Sequence, residues 1–443
     1  MPSMKNSSDV TELQSQVEKL QQETRKLLLE KRRLNALLII TRSLSGELDL
    51  ENLLFKIMGQ VQKALHAERC TVFLLDELKN ELWSKVAIGI EDEIRFPADK
   101  GIAGYVLKSG EVVNIHDAYK DSRFNPEIDK KTGYRTRTIL TLPLLSKQNE
   151  VFGVFQVLNK KEGIFTPADE KLLSAIAMIA SSAIQNAQSY DEQKKSFFSF
   201  IETLSTTLDT RDYITAGHAR RVTLYAQEIG RLMKLDPARM DVLRYAALLH
   251  DIGKIGVPEM ILFKDRKLTN EEYEIVKRHA KITKNILKKI NFNKRLKDVP
   301  EIAGSHHERL DGTGYPEQLK GEQILLEGKI LALADTFDAI TSRRQFLDRM
   351  DLEKVIQIID SETGTSFEPY VVYNFKYITL DRLIQILEHG HASEINPEDL
   401  KKLIDYTLRE LVEIRGKSGK SDDELEIENI FMRYYLRQYR TDR

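Results

Sequence analysis

Histidines in this chain are concentrated in one segment, and this clustering most constrains what the chain can fold into. Five of the nine histidines lie between positions 218 and 307, where the sequence is almost entirely helical in pattern. Successive members recur about thirty residues apart, a spacing that matches one helix plus a loop. The pattern predicts a helical bundle in which each helix directs one polar side chain inward. The other four histidines are scattered along the chain: His66, His116, His389 and His391.

Acidic residues accompany the clustered histidines. Asp251 follows His250 directly, and Asp335 ends the apolar run that begins at Ile330. A neutral imidazole and a carboxylate near a helix end can bind the same divalent ion, and the carboxylate can bridge two ions. A single histidine on a helix is usually a solvated or hydrogen-bonded imidazole, but so many polar groups are costly to place in a bundle core without a metal. We therefore predict a metal site with these ligands: His218, His250, Asp251, His279, His306, His307 and Asp335.

Composition excludes several classes of protein. The 443 residues and 51.1 kDa are enough for two or three domains with buried cores. Lys and Arg together number 67 against 68 for Asp and Glu, so the chain lacks the basic excess of a protein dedicated to nucleic-acid polymers. The single cysteine, Cys70, excludes an internal disulfide framework and is typical of a reducing compartment. Because the apolar runs are too short for a membrane span and the N-terminus lacks a signal-peptide core, we expect a cytoplasmic protein without membrane contact.

A heptad pattern occupies the N-terminal residues 1–46. One core position is filled by Val10, Val17, Thr24, Lys31 and Leu38, and the other by Leu13, Leu20, Leu27 and Leu34. The apolar members favour a short coiled coil, whereas the polar Thr24 and Lys31 disfavour higher oligomers. We expect a parallel homodimer, and the alternative is an ordinary surface helix.

Residues 47–190 mix helical and strand patterns. A helical pattern begins at Leu50, and Pro167 opens a second, longer one that continues to about Thr207. Strand patterns lie between them at 71–75, 81–88, 111–115, 138–145 and 151–159. The short connections between strands predict an α+β domain with an antiparallel sheet and flanking helices.

The remaining sequence is helical in pattern. Residues 191–375 contain all five clustered histidines and predict an all-α bundle, while residues 376–443 form a helical extension to which we assign no role. The string from Gly416 to Ser421 lacks the first glycine of a phosphate-binding loop, because Ile414 stands there, and we interpret it as a linker. No internal repeat is visible. The predicted fold class is a multidomain chain with a coiled coil, an α+β domain and a metal-binding helical bundle.

Two segments resemble the signature motifs of HD-GYP domains, a branch of the HD phosphohydrolases. They are His250-Asp-Ile-Gly-Lys254 and His306-His-Glu-Arg-Leu-Asp-Gly-Thr-Gly-Tyr-Pro316, and the likeness extends from Arg211 to Ser342. The resemblance implies hydrolysis of cyclic di-GMP to linear pGpG, in some members on to GMP, at a site with two or three iron or manganese ions. Such ions would lower the pKa of a bridging water and neutralise the phosphodiester oxygens.

The resemblance also implies how the ligands are shared. Asp251 would bridge two ions. One ion would be completed by His218, His250 and Asp335, and the other by His279, His306 and His307. Family members with three metals carry a glutamate four residues before the first histidine, where this chain has Ile214, so we expect two ions.

Further residues near the predicted ligands are candidates for catalysis and substrate binding. Lys254 would stabilise charge that develops on the phosphate, and the alternative is an exposed lysine at a helix end. Gly314, Tyr315 and Pro316 would contact the dinucleotide, with Tyr315 against a base, and the alternative is a structural turn. Asp338 lies one helical turn after the ligand Asp335 and would reach substrate from the same face, or else be a solvated carboxylate.

The α+β region resembles GAF domains of the subgroup that binds cyclic nucleotides. The motif of that subgroup, NKFDE, is matched by Asn159, Lys160, Phe165, Asp169 and Glu170, which the resemblance treats as structural. Ligand contacts implied by motif position are Ile102, Ala103, Asp129, Thr132, Thr136 and Gln156. We expect cAMP or cGMP as the allosteric ligand, and the alternative is a GAF domain that binds no ligand and serves dimerisation.

Taken together, the residues and resemblances predict a dimeric signalling enzyme. A cyclic mononucleotide in the first domain would alter the hydrolysis of cyclic di-GMP in the second. Two alternatives stay open: a non-enzymatic receptor or adaptor that binds cyclic di-GMP, and a hydrolase of another cyclic dinucleotide.

Overall fold

The computed structural model describes most of the chain and divides it into two compact units. The described residues are 16–24, 27, 31, 38, 41–42, 46–84, 94–211, 217–262, 264, 266–342 and 349–437. The first unit comprises residues 1–196 and the second residues 197–443. Within the described ranges, no helix combines the length and the apolar character needed to cross a lipid bilayer.

The first unit is built on one antiparallel sheet with helices on both faces. Its elements in chain order are α1 (Leu50–Ala64), β1 (Ala67–Asp76), β2 (Glu81–Ser84), β3 (Ile94–Pro97), α2 (Gly101–Ser109), β4 (Val113–Ile115), α3 (Glu127–Thr132), β5 (Ile139–Leu145), β6 (Val151–Lys160) and the start of α4 (Pro167–Arg211). The strand order is β3-β2-β1-β6-β5-β4, and every neighbouring pair is antiparallel. This confirms the predicted α+β architecture, although the short strand β3 was not expected.

Alternation along the central strand β1 creates two hydrophobic cores. Val72 and Leu74 point to a core that α1 and the first part of α4 close, whereas Phe73 points to a core closed by α2. Successive side chains of a strand lie on opposite faces, so a strand that is apolar throughout must be covered on both sides. The buried run of β1 therefore requires helices on each face of the sheet.

Part of the predicted coiled coil lies outside the described residues. Residues 16–24 are helical, and the core positions Val17, Leu20, Leu27 and Leu38 are exposed in the single chain. Other heptad positions, among them Val10 and Leu13, lie outside the described residues. The homodimer stays a prediction.

The second unit is entirely helical in its described part. Beyond the end of α4, its helices are α5 (His218–Leu232), α6 (Pro237–Leu249), α7 (Glu259–Leu262), α8 (Asn270–Leu287), α9 (Val299–Gly304), α10 (Leu326–Thr341), α11 (Leu352–Glu362), α12 (Pro369–Phe375), α13 (Leu380–Leu387), α14 (Pro397–Leu403), α15 (Leu408–Arg415) and α16 (Asp422–Tyr435). The predicted end of α4 near Thr207 is close to the observed end at Arg211.

The C-terminal extension belongs to the core of the bundle. One continuous cluster of buried side chains runs from Ile201 on α4 through Leu248 and Phe337 to Leu383 and Phe431 in the extension. Because these residues are buried against one another, the extension is needed to cover the bundle.

A repeat that the sequence analysis did not find covers residues 369–415 and so begins just before this extension. The bounds of α12 and α13 recur 28 residues later in α14 and α15. The matching identities are Pro369 and Pro397, Thr379 and Thr407, Leu380 and Leu408, Leu383 and Leu411, and Ile386 and Ile414. The two copies are joined by an isolated antiparallel bridge between Thr379 and Thr407. The backbone N–H groups of Leu380 and Leu408 donate to the opposite copy, so the bridge is reciprocal.

We expect Leu383→Ala to destabilise the second unit. Leu383 is fully buried, and removing such a side chain costs about 2–5 kcal/mol of unfolding free energy. Leu425→Ala is the matched control because Leu425 is 43% exposed. Urea unfolding followed by far-UV circular dichroism measures the effect, while fluorescence of Trp83, the single tryptophan, reports the first unit. Equal midpoints for both variants would contradict a shared core.

Candidate functional site

The predicted ligands converge from the ends and middles of five helices. His218 opens α5, His250 caps the C-terminus of α6 and is followed by Asp251, and His279 lies in the middle of α8. His306 and His307 follow α9, and Asp335 lies on the buried face of α10. All seven predicted ligands thus come together in one place.

Three of the imidazoles are held in the same way. The Nδ1 atom of each lies within hydrogen-bond distance of the backbone carbonyl three residues earlier: 2.7 Å for His250, 2.7 Å for His279 and 2.6 Å for His306. A carbonyl accepts only a donated proton, so Nδ1 carries the hydrogen and Nε2 is left as the coordinating atom. The backbone of each helix therefore fixes the ring orientation.

The ligand atoms form two triads with Asp251 between them. His218, His250 and Asp335 make one triad, and His279, His306 and His307 the other, with the ligand atoms of each triad within 4.8 Å of one another. The two oxygens of Asp251 face different triads. Oδ2 lies 3.3 Å from Nε2 of His250, and Oδ1 lies 3.4 Å from Nε2 of His279. This is the position that a carboxylate bridging two ions requires.

One buried atom shows that the site fits a cation. Nε2 of His250 is buried and has no aligned hydrogen-bond partner among the described residues. A buried polar atom without a partner is costly, and a divalent ion would satisfy its lone pair. Imidazole and carboxylate together suit first-row transition metals.

The charges of the site complete this fit. Burial opposes ionisation of Asp251 and Asp335, but Lys254 and His250 hold the pKa of Asp251, and His218 and His250 that of Asp335, well below the usual range. Burial lowers the pKa of His307 to about 4, so that ring is neutral at pH 7. Burial would also lower the pKa of His218, yet hydrogen bonds to its carboxylate neighbours raise it to about 9. A divalent cation would displace the proton of His218, because a histidine must be neutral to bind a metal, and the ionised carboxylates complete the donor set.

Asp338 lies behind the ligands, in a position that differs from the predicted substrate contact. Its side chain is fully buried, and its Oδ2 lies 2.7 Å from Nδ1 of His218. Arg221 donates to both oxygens at 2.8 and 2.9 Å, and Ser342 donates at 2.8 Å. Because its oxygens are occupied inside the bundle, Asp338 orients His218 and does not face substrate. Arg221 was missed, although its position one turn after His218 places it on the same helical face.

The turn that carries His250 and Asp251 is docked on the helix that carries His279. The Gly253 N–H donates to the Thr283 hydroxyl at 2.9 Å, and that hydroxyl donates to the His250 carbonyl at 2.8 Å. A side chain at Gly253 would place its Cβ 2.0 Å from the His279 carbonyl oxygen, so only glycine permits this approach. The two triads are thereby held in register.

The remaining catalytic and substrate candidates lie beside the ligands. The Lys254 ammonium is 2.7 Å from Oδ2 of Asp251, and the Tyr315 ring centroid is 4.7 Å from that of His307. Gly314 packs against the backbone of residues 307–309, where a Cβ would lie 2.5 Å from the nearest atom. Pro316 follows on the same loop. The loop places the Tyr315 ring against the second triad.

Asn159 is the centre of a buried hydrogen-bond network in the first unit. Its Oδ1 accepts from the backbone N–H groups of Arg137 and Thr138 at 2.6 and 3.2 Å. Its Nδ2 donates to Glu68 at 2.9 Å and to the Tyr134 hydroxyl at 2.8 Å. The network joins β6 to β1 and to the segment before β5.

The other residues of the same motif make structural contacts. Lys160 and Asp169 form an ion pair, and Phe165 is buried in the core. Asn114 donates to Glu170 at 2.7 Å and to the Phe165 carbonyl at 3.0 Å. These contacts fix the start of α4 against the sheet.

Two family models match the two units. Residues 49–184 match the model described as the GAF domain, and residues 202–371 match that described as the HD domain. The chain is a GAF–HD protein.

Curated relatives of this GAF–HD protein include several phosphodiesterases. "Cyclic di-GMP phosphodiesterase" of Thermotoga maritima is 40% identical over 186 residues, which are 42% of this chain and 50% of the relative. "3'3'-cGAMP-specific phosphodiesterase 3" of Vibrio cholerae is 40% identical over 162 residues, 37% of this chain and 35% of the relative. The chain thus spans half or less of the length of these relatives. A solved GAF domain from an Acinetobacter phosphoenolpyruvate-protein phosphotransferase is 24% identical, with 36% of this chain and 98% of that chain covered and a TM-score of 0.32.

Two of the ligand candidates in the GAF domain bind each other. The Thr136 backbone N–H and hydroxyl both donate to Asp129 at 2.7 Å. The Tyr119 hydroxyl donates to the same carboxylate at 3.1 Å. Asp129 therefore closes the loop between α3 and β5.

The other candidates of the GAF domain line the sheet and α2. Ile102 and Ala103 are buried in the core that α2 closes, and Gln156 donates to the Thr141 hydroxyl at 3.3 Å. The side chain of Thr132 lies outside the described residues. Ligand contact by these residues stays a prediction.

We expect Asp338→Asn to weaken metal binding by the GAF–HD protein. The substitution removes the charge that orients His218, and losing such a supporting group typically costs about 10–100-fold in metal affinity. Manganese titration against a competing chelator measures the change, with circular dichroism to verify the fold. Ser342→Ala, which removes a different hydrogen bond to Asp338, should bind nearly as tightly as the wild type. Wild-type affinity in Asp338→Asn would show that His218 needs no such support.

Proposed function

We propose that this GAF–HD protein hydrolyses cyclic di-GMP to linear pGpG. The observation that carries the proposal is the pair of buried ligand triads with Asp251 facing both. Two ions held about 3.5–4 Å apart are the arrangement used to cleave phosphodiesters. The name of the Thermotoga relative supports the substrate.

The residues of the site have separate tasks in this proposal. His218, His250 and Asp335 hold one ion, His279, His306 and His307 hold the other, and Asp251 binds both. Bound ions would supply a hydroxide nucleophile at neutral pH and neutralise the phosphodiester. Lys254, beside Asp251, stabilises the additional negative charge on the phosphate during attack. We propose two ions, iron or manganese, because Ile214 offers no carboxylate for a third.

Another cyclic dinucleotide is a second candidate substrate. The Vibrio relative named for 3'3'-cGAMP is as similar to this chain as the Thermotoga relative, at 40% identity. The metal chemistry would be the same for either substrate, since both contain two phosphodiester bonds. Product chromatography with each dinucleotide decides between them.

We expect His250→Ala and Asp251→Asn to abolish hydrolysis. Each removes a ligand atom from the centre of the cluster, whereas His116→Ala, a matched control in the first unit, removes an exposed imidazole and should leave turnover unchanged. Protein purified without oxygen is loaded with Fe(II) or Mn(II), and products are separated by chromatography. Turnover in either variant would refute the proposed site. Bound metal and bound cyclic di-GMP without any turnover in the wild type would instead favour a receptor.

We propose that the GAF domain binds cAMP or cGMP and thereby regulates the hydrolase. Support comes from the NKFDE motif, whose Asn159 joins β1, β6 and the segment before β5. The predicted contacts Ile102 and Ala103 lie in the first turn of α2, where backbone N–H groups are donors suited to a cyclic phosphate. The ligand would bind beside a structural network that connects to α4.

Excess cAMP or cGMP should raise the melting temperature of the GAF domain. A ligand at 100 times its dissociation constant stabilises the folded state by about 2.7 kcal/mol. Trp83 fluorescence reports this domain alone. Thr136→Ala removes a hydrogen bond that holds the predicted contact Asp129 and should reduce the shift, whereas Thr203→Ala, on α4 within the second unit, should not. Unchanged melting with both nucleotides would favour a GAF domain without a ligand.

We further propose a cytoplasmic homodimer. The exposed heptad positions Val17, Leu20 and Leu27 would pack against a second copy, as in a parallel coiled coil. A single buried cysteine, Cys70, agrees with a reducing compartment.

A further inference from the structure

Three side chains gather at the edge of the second ligand triad. The Lys277 ammonium lies 4.8 Å from the ring centroid of Tyr273 and 5.5 Å from that of Tyr315. The Tyr315 ring lies 4.7 Å from the ring of His307. An unbroken series of contacts therefore leads from the predicted metal ligand His307 to Tyr273 on α8.

An acceptor stands beside the lysine. Oε1 of Glu274 is 2.6 Å from the Lys277 ammonium. The Glu274 side chain is 64% exposed, while the Lys277 side chain is 28% exposed and lies over the two aromatic rings. Tyr273, which lies next to them, is 48% exposed.

A donor and an acceptor side by side match one base. The Watson–Crick edge of guanine offers the O6 acceptor next to the N1–H and N2–H donors. Adenine has the reverse order, with an N6–H donor next to the N1 acceptor. A lysine that donates to O6 and a glutamate that accepts from N1–H would therefore bind guanine and repel adenine.

We propose that Lys277 and Glu274 recognise one guanine of the substrate, while Tyr273 stacks on that base. The inference rests on the proposed function, because it places the base relative to a phosphodiester at the metal ligands. It assigns the choice between guanine and adenine to one turn of α8. Aromatic stacking adds affinity but little selectivity, since every base has a flat face.

The ratio of kcat/KM for cyclic di-GMP to that for cyclic di-AMP tests the proposal. We expect Lys277→Met to lower this ratio about ten- to a hundredfold, the usual worth of a good contact to a base edge. The loss should appear in KM for cyclic di-GMP more than in kcat. Glu274→Gln should lower the ratio less, since the amide oxygen still accepts. Tyr273→Ala should raise KM for both dinucleotides and leave the ratio nearly unchanged.

Lys281→Met is the matched control. Lys281 lies one turn further along α8 and is exposed, and its substitution by methionine removes the same charge as Lys277→Met. The ratio of kcat/KM values for Lys281→Met should equal that of the wild type. An unchanged ratio in Lys277→Met, or an equal loss in Lys281→Met, would overturn the proposal.

Exchanging the two residues gives a test in the opposite direction. The double variant Glu274→Lys with Lys277→Glu reverses donor and acceptor, so the ratio should move toward cyclic di-AMP beyond that of Lys277→Met. If the wild type hydrolyses no cyclic dinucleotide, the proposed function fails. The same variants are then compared by equilibrium dialysis with each dinucleotide. If the wild type shows no preference for cyclic di-GMP in dialysis, or if Lys277→Met keeps that preference, the inference is refuted in this assay as well.

Discussion

The second unit is organised by the need to place the seven imidazole and carboxylate side chains of the predicted metal site around one point. Each imidazole or carboxylate is costly inside a helical core unless every polar atom has a partner. The helices meet this condition with their own backbones, because the carbonyls of Ala247, Val276 and Ala303 fix three rings. The backbones of α6, α8 and α9 therefore fix the orientation of these three rings.

A second set of contacts holds these helices in register. Thr283 binds both the turn at Gly253 and the carbonyl of His250, and Asp338 joins α5 to α10 through His218. Neither Thr283 nor Asp338 is among the seven predicted ligands. Small changes here would move ligands by fractions of an ångström, which is enough to alter a metal site that tolerates little misplacement.

Local sequence patterns predicted the secondary-structure elements and the residues of the site, but not the contacts between side chains. The spacing of the histidines and the adjacency of His250 and Asp251 were enough to select seven side chains that the structure brings together, because residue type and helical periodicity are properties of the sequence. Metal binding by these side chains stays a prediction. The spacing of Asp335 and Asp338 placed both on one face, yet only tertiary packing brings Arg221 against Asp338 and turns that carboxylate inward. Strand β3 has four residues, too few for a clear alternation.

The repeat over residues 369–415 was not detected in the sequence because its two copies share few identities. The identical residues are mostly leucine, isoleucine and proline, which recur in any helical sequence. The duplication becomes visible only in three dimensions, where Thr379 and Thr407 pair across a local two-fold arrangement. The two copies share their helix bounds and are joined by a backbone bridge, although most of their side chains differ.

Two neighbouring arginines connect the metal ligands to other parts of the second unit. Arg221 binds Asp338, whereas Arg220 forms an ion pair with Glu202 on α4 and donates to His389 at 2.7 Å. The proposed regulation requires two states of α4 that differ in energy at the site. Glu202 contacts Arg220, and Arg220 lies in the first turn of α5, which begins at His218. Since α5 begins at the ligand itself, a displacement of its first turn cannot leave the His218 ring in place.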